Sequence, residues 1–281
     1  MKFQIVDIQD PGFVHGRAWA EIVELMYYGL ENAGFEVDYS INSFARNRIN
    51  IVFGCFRLKP ELAPLVPKDS FMFNLEQLKK HDKLFDHKTR MNIRFWAQKG
   101  FRFLDYDRHN VSLLTEWGAK EVRIVELGFA PELARLEKQN KVYDCIFYGG
   151  RNKRRNQLLA QVHATDLNLK YLWGVYGEER DREIEKSGFA LNMHLYESEM
   201  LEIVRLNYLL HNKITVLTEM NDSTSDETQM GDVLISVPRE QFAAKAIEIS
   251  RDQAFLERKA NEAFDWLVQK PQSEIMRTIF N

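Results

Sequence analysis

Ile146-Phe147-Tyr148-Gly149-Gly150-Arg151-Asn152-Lys153-Arg154-Arg155 is the stretch on which the reading of this chain turns. An apolar run of strand character enters two glycines, then a cluster of cations, then the start of a helix. Glycines let a backbone approach a ligand closely, and a helix N-terminus offers unpaired N–H groups with partial positive charge. Arginine adds planar, two-pronged contacts to phosphate. The pattern is not a Walker loop, which needs Gly-Lys-Ser/Thr, nor the Gly-x-Gly-x-x-Gly dinucleotide fingerprint. Two other readings stay open: a solvated basic helix start, and an RNA-contacting patch, which the lack of an aromatic platform disfavours.

Outward from this stretch the chain alternates strand and helix. On its C-terminal side come strands at 169–173, 189–193, 214–218 and 232–236, with helical stretches from about 154, at 178–186 and at 198–211. A sustained helical period then runs from Arg239 to Gln269 and stops at Pro271. On its N-terminal side, strands are expected at 3–8, 36–39, 50–54, 70–74, 102–104 and 122–125. A helix from Gly16 carries Trp19, Ile22, Val23, Met26 and Leu30 on one side and ends at Gly34. Such alternation predicts parallel sheets with helices on both faces. It breaks between Glu126 and Lys141, which read as a linker. Two successive α/β domains follow, 1–130 and 141–281.

The composition is that of a globular protein. Apolar residues are 45% and charged residues 28% of 281, which excludes disordered and fibrous classes. A formal net charge of −3 gives no bulk reason to expect a nucleic-acid partner. Two cysteines, Cys55 and Cys145, are too few for a disulfide framework. The N-terminus reaches Asp7 and Asp10 at once and no apolar run is long enough to span a bilayer, so a cytoplasmic protein is expected, with at most peripheral membrane contact.

Two further segments end strands with polar residues, and the carboxyl ends of parallel strands face the crevice where open α/β sheets bind ligands. One is Asn192-Met193-His194-Leu195-Tyr196-Glu197-Ser198, before a helix with Glu199, Glu202 and Arg205 on one face. Its plainer reading is a structural histidine and a surface Glu202–Arg205 ion pair. The other is Phe71-Met72-Phe73-Asn74-Leu75-Glu76-Gln77, which delivers Glu76 as a general base or as a solvated loop carboxylate. His15, in the first strand-to-helix loop, is a rival base or an acceptor contact. No histidine pair has zinc spacing, so no metal is expected. The acidic stretch Glu219, Asp222, Asp226, Glu227, Asp232 lacks the calcium-loop spacing and reads as a solvated loop.

Phe147-Tyr148-Gly149-Gly150 with Arg154-Arg155, Trp173-Gly174-Val175-Tyr176-Gly177, Leu191 to Glu197, Leu201 to Arg205 and Val216-Leu217-Thr218-Glu219 together resemble the C-terminal half of GT-B glycosyltransferases. The enzymes resembled are small bacterial-type ones that extend surface polysaccharides or modify glycans. Asn74-Leu75-Glu76-Gln77, Leu104 to Asn110 and Glu126-Leu127-Gly128-Phe129 extend the resemblance upstream. It implies two Rossmann-like domains facing across a cleft, the first for the acceptor and the second for a nucleotide sugar, a UDP-sugar foremost. It also implies a C-terminal helix, taken as 239–269, crossing back to the first domain.

By position, Gly149, Gly150, Arg151 and Arg154 would meet the diphosphate. Asn192, His194, Tyr196, Glu197, Glu202 and Arg205 would line the donor pocket, and Glu76 or His15 would act on the acceptor, a glycan or glycolipid hydroxyl. No cofactor or metal is implied. The seven-residue glutamate pair of many retaining members is not matched, since counting from Glu199 reaches Asn207. The alternatives are a sugar-nucleotide epimerase of the same architecture and a non-enzymatic module for a phospholigand or RNA.

Overall fold

The structure is a computed structural model that describes residues 1–13, 15–78, 87–195, 201–220 and 230–281. It divides into two compact units: Met1–Ala130 with Pro271–Asn281, and Pro131–Lys270.

The first unit is built on six parallel strands: β1 (Lys2–Asp7), β2 (Glu36–Ile41), β3 (Ile49–Phe53), β4 (Phe71–Asn74), β5 (Arg102–Asp105) and β6 (Glu121–Ile124), in the order β2-β1-β3-β4-β5-β6. Within Met1–Ala130 its helices are α1 (Ala20–Asn32), α2 (His87–Gln98) and α3 (His109–Glu116). Central strands carry apolar residues on both faces because helices cover both. Phe3, Ile5, Ile51, Phe53, Phe71, Phe73 and Phe103 are buried, and Phe53 stacks on Phe73 at 4.6 Å.

The second unit has five parallel strands: β7 (Tyr143–Tyr148), β8 (Leu169–Leu172), β9 (Ser187–Asn192), β10 (Val216–Glu219) and β11 (Ile235–Val237), in the order β11-β10-β9-β7-β8. Its helices are α4 (Lys153–His163), α5 (Glu178–Glu185), α6 (Ile203–His211), α7 (Phe242–Ser250) and α8 (Gln253–Val268). One apolar cluster runs from Cys145, Phe147, Phe189 and Leu217 on the sheet to Leu158, Leu159 and Phe242 on the helices. The strand order reverses between β7 and β9. That switch point opens a crevice at the carboxyl edge of the sheet, where doubly wound folds hold ligands. Among the described residues, no helix is long and apolar enough to cross a membrane.

Two expectations need correction. The period over 239–269 is two helices, α7 and α8, broken where Asp252 caps α8 by accepting from Phe255 N at 2.9 Å. Both pack within the second unit, on α4, α6 and β9. The helix that returns to the first unit lies just beyond, α9 (Gln272–Phe280). Gln272 anchors it: its N donates to Phe129 O at 2.8 Å and its Oε1 accepts from Gly128 N at 2.6 Å. Gly29 of α1 makes the room, since a Cβ there would stand 2.5 Å from Gln272 Cγ. At the far end the Phe280 ring packs on Phe3 at 4.7 Å and Phe71 at 5.6 Å. The second correction concerns 126–141, which is not a free linker. From Pro131 it is strapped to the second unit, where Asn212 Oδ1 accepts from Arg135 N and Leu136 N at 2.8 and 2.9 Å.

Candidate functional site

The β7–α4 turn is fixed by its own backbone. Gly149 sits at φ +140°, a conformation that L side chains rarely adopt, and a Cβ there would be 2.7 Å from Arg205 Nη2. Gly149 N donates to Leu172 O, and Tyr171 OH donates to Gly149 O, each at 3.1 Å. Asn152 caps α4: its Oδ1 accepts from Arg155 N at 2.9 Å, while its Nδ2 donates to Leu195 O at 2.6 Å. One side chain thereby joins the turn after β7 to the turn after β9, across the switch point.

The cations after Gly150 divide by helix phase. Arg151 is exposed, its guanidinium 4.6 Å above the Tyr171 ring. Arg154 faces the rim and pairs with Glu219. Arg155, about 100° further round the helix, turns inward and is 2% exposed. It donates to Met193 O through Nε and Nη2 at 3.0 and 2.7 Å, to Gly150 O at 2.9 Å and to Glu202 at 3.1 Å. Burial and the neighbouring Arg205 cation pull its pKa down to about 10, so it is a cation that braces the site.

Glu202 is the hub of the second segment. Its Oε1 accepts from Leu195 N at 3.0 Å and its Oε2 from Asn192 Nδ2 at 3.0 Å, and His194 Nδ1 lies 3.3 Å away. Burial raises its pKa, but the His194 bond and the charges of His194, Arg155 and Arg205 outweigh burial and bring it to about 2. His194 is 1% exposed; burial lowers its pKa, and Glu202 and Glu219 more than reverse this, leaving it above the usual value. The surface-ion-pair reading of Glu202 with Arg205 is therefore replaced. Glu202 is bound inward, and Arg205 donates to Asn192 Oδ1 at 3.0 Å beside the rings of Phe147 and Tyr148.

The structure thus brings together Gly149, Gly150, Arg151, Arg154, Asn192, His194, Glu202 and Arg205 at the carboxyl edge of β7, β9 and β10. Tyr196 and Glu197 lie outside the described residues, as do Ser198, Glu199 and residues 222–227 of the acidic stretch. Three participants carry no site role in the sequence reading: Arg155, Arg239 and Glu219. Glu219 is 2% exposed, which corrects its reading as a solvated acid. It ends β10, accepts from His194 N at 2.6 Å, and pairs with Arg154 and with Arg239 at 3.3 Å. Arg239 also donates to Arg154 O at 2.7 Å. The available signal was position, since Val216-Leu217-Thr218-Glu219 is an apolar strand ending in polar groups. Among the described residues, five guanidiniums here meet two carboxylates, a surplus of positive charge suited to a diphosphate. Among the described residues, no group of three His, Cys, Asp or Glu could hold a metal ion.

Glu76 and His15 belong to the first unit. His15 lies in the β1–α1 turn, its ring 5.7 Å from Phe13. Glu76 follows β4 and is half-buried. Its backbone is held by Asn74, whose Nδ2 donates to Glu76 O at 2.8 Å and whose Oδ1 accepts from Glu76 N at 3.3 Å. Asn110 of α3 also donates to Glu76 O, at 2.9 Å, and accepts from Leu78 N at 2.8 Å. Both asparagines converge on the fully buried Asp105, at 2.8 and 3.2 Å. Burial pushes the Asp105 carboxyl up to about 8, against the pull of these N–H bonds.

Two Rossmann-like units of this kind define the GT-B fold, and comparison with solved structures bears this out. The T4 phage BGT structure in complex with its UDP-glucose substrate superposes with a TM-score of 0.64 at 10% identity, covering 99% of this chain and 98% of that one. Anabaena Alr3699/HepE in complex with UDP and glucose gives 0.60 at 9% identity, with the same two coverages. TarM gives 0.55 at 11% identity, and the chain spans 55% of its length. No protein-family model and no curated protein sequence match the chain.

Proposed function

We propose that this chain is a glycosyltransferase that moves a sugar from a nucleoside diphosphate donor, a UDP-sugar, to a hydroxyl of a glycan or glycolipid. The observation that carries this reading is the cluster of Arg151, Arg154, Arg205 and Arg239 around the Gly149–Gly150 turn and the N-terminus of α4, at the switch point of the second sheet. Transfer needs the departing diphosphate's charge stabilised, and these groups are preorganised to supply it. UDP is the nucleotide of choice because T4 phage BGT was solved with UDP-glucose and HepE with UDP and glucose. One neighbour is described as the DNA-modifying enzyme beta-glucosyltransferase; that acceptor is not transferred to this chain, whose net charge of −3 gives no bulk reason to expect a nucleic acid. The epimerase and the phospholigand- or RNA-binding readings gain no support from these neighbours.

Thermal-shift screening against nucleoside diphosphates and UDP-sugars tests the reading, because a ligand of the folded state raises its melting point. Uridine diphosphate should stabilise the protein, and Arg154→Ala should weaken its binding by on the order of tenfold or more in calorimetry. No stabilisation by any nucleotide, or unchanged affinity in the variant, removes the phosphate-cradle argument.

Since arginines supply the charge, the transfer is proposed to need no metal. One structure of the phage enzyme holds UDP and Mn2+, which makes the question open to direct experiment. UDP release from the donor should persist in EDTA and rise little on adding Mn2+. Abolition by EDTA, reversed by Mn2+, excludes the metal-independent form.

A further inference from the structure

Two sequence segments that resemble family motifs, Asn74 to Gln77 and Leu104 to Asn110, are far apart in the chain and have no explained partner in the sequence. The fold makes them one device. β4 and β5 are parallel neighbours with Asn74 in register with Asp105, so the two strands end together at the carboxyl edge. Asp105 receives three N–H groups there: Asn74 Nδ2 at 2.8 Å, Asn110 Nδ2 at 3.2 Å and Asp107 N at 2.8 Å. The same two asparagine amides also donate to Glu76 O, at 2.8 and 2.9 Å. Their oxygens accept from Glu76 N and Leu78 N, at 3.3 and 2.8 Å. Tyr106 OH closes the loop from the other side by donating to Leu75 O at 2.9 Å.

We propose that Asp105, acting through Asn74 and Asn110, is the positioning residue for Glu76. A carboxyl with no exposure is costly to keep in a core, and an apolar residue would pack the same space without that cost. What it provides is orientation. With the carboxyl in place, each asparagine has its amide end fixed and presents its oxygen to a loop N–H. Four bonds then hold the backbone of residues 76–78 in one arrangement, and Glu76 projects from a fixed base at the rim of the sheet. Geometry held this closely is what a general base needs, since small displacements of a reacting group lower rates steeply. Asp105 touches no reacting atom and works only through the loop.

The inference rests on Glu76 as the base, so the test has two independent readouts. The first needs no substrate: amide hydrogen exchange, residue by residue, in the full chain and in Asp105→Asn and Asn110→Ala, each shown folded by circular dichroism. Glu76 and Leu78 amides should lose protection in both variants while the amides of β1 and β3 keep theirs. Retained protection at 76 and 78 overturns the proposal whatever the kinetics. The second uses UDP-glucose as probe and UDP release as signal. Asp105→Asn should lower kcat roughly tenfold or more with KM for UDP-glucose unchanged. In the Glu76→Gln background it should have no further effect, because it acts through that side chain. Multiplying effects overturn the positioning role. An inert Glu76→Gln refutes the base reading alone, and the exchange data then still decide whether Asp105 fixes the loop.

Discussion

Glu76→Gln is expected to lower the rate of sugar transfer by roughly 10²–10⁴-fold, the usual worth of a positioned general base, while nucleotide affinity stays unchanged. In the step proposed, the acceptor hydroxyl loses its proton to the Glu76 carboxylate as its oxygen bonds to the anomeric carbon, and the bond from that carbon to the diphosphate breaks. Glutamine keeps the size and the hydrogen-bonding shape but cannot take the proton. Asn74 and Asn110 grip the backbone of Glu76, and glutamine leaves those bonds available. The loss should lie in kcat. Initial-rate measurements over donor concentration separate the two parameters. Near-normal turnover excludes Glu76 as the base and shifts that role to His15, for which His15→Gln is the matching variant.

The fold was legible because short apolar runs and amphipathic helical periods follow one another along both halves, even though no helix separates β2 from β3. The donor rim was legible for a similar reason: two adjacent glycines, a cation run and polar residues at strand ends are local signals. What could not be seen was direction. Arg154 and Arg155 are adjacent in sequence, yet one faces the rim and the other is sealed against Met193 O and Glu202, a difference set only by which side of α4 meets the sheet. Glu219 looked like the start of a solvated acidic loop, whereas its place as the last residue of a central strand buries it. Asp105 and Asn110 gained a role only once β4 and β5 lay side by side, a long-range pairing that no local pattern specifies. The return of α9 was hidden by Pro271, which ends one helix and stands at the start of the next.

Glu202→Ala should lower stability by about 3–5 kcal/mol, because it removes the carboxylate paired with a buried cation. Arg155 would keep its bonds to Met193 O and Gly150 O but lose its bonded carboxylate, leaving only the charge of Glu219 to act on it, and Asn192, His194 and Leu195 N would each lose an acceptor. Calorimetric melting should show a fall of roughly 10 °C. Adding Arg155→Met should recover part of it, since the uncompensated charge then disappears. If the double variant melts lower than the single, the loss comes from packing and not from charge. The pH dependence gives a second check. Glu202 titrates near 2 when folded and near its usual 4.5 when unfolded, so its contribution is complete above about pH 4.5 and is lost as pH falls toward 2. The full effect is on the order of 3 kcal/mol. Wild-type stability should therefore drop between pH 5 and 2 more steeply than that of Glu202→Gln, which has no charge to lose. Parallel curves for the two proteins would mean that the Glu202 carboxylate is not held in its charged form by the His194 and Arg155 contacts.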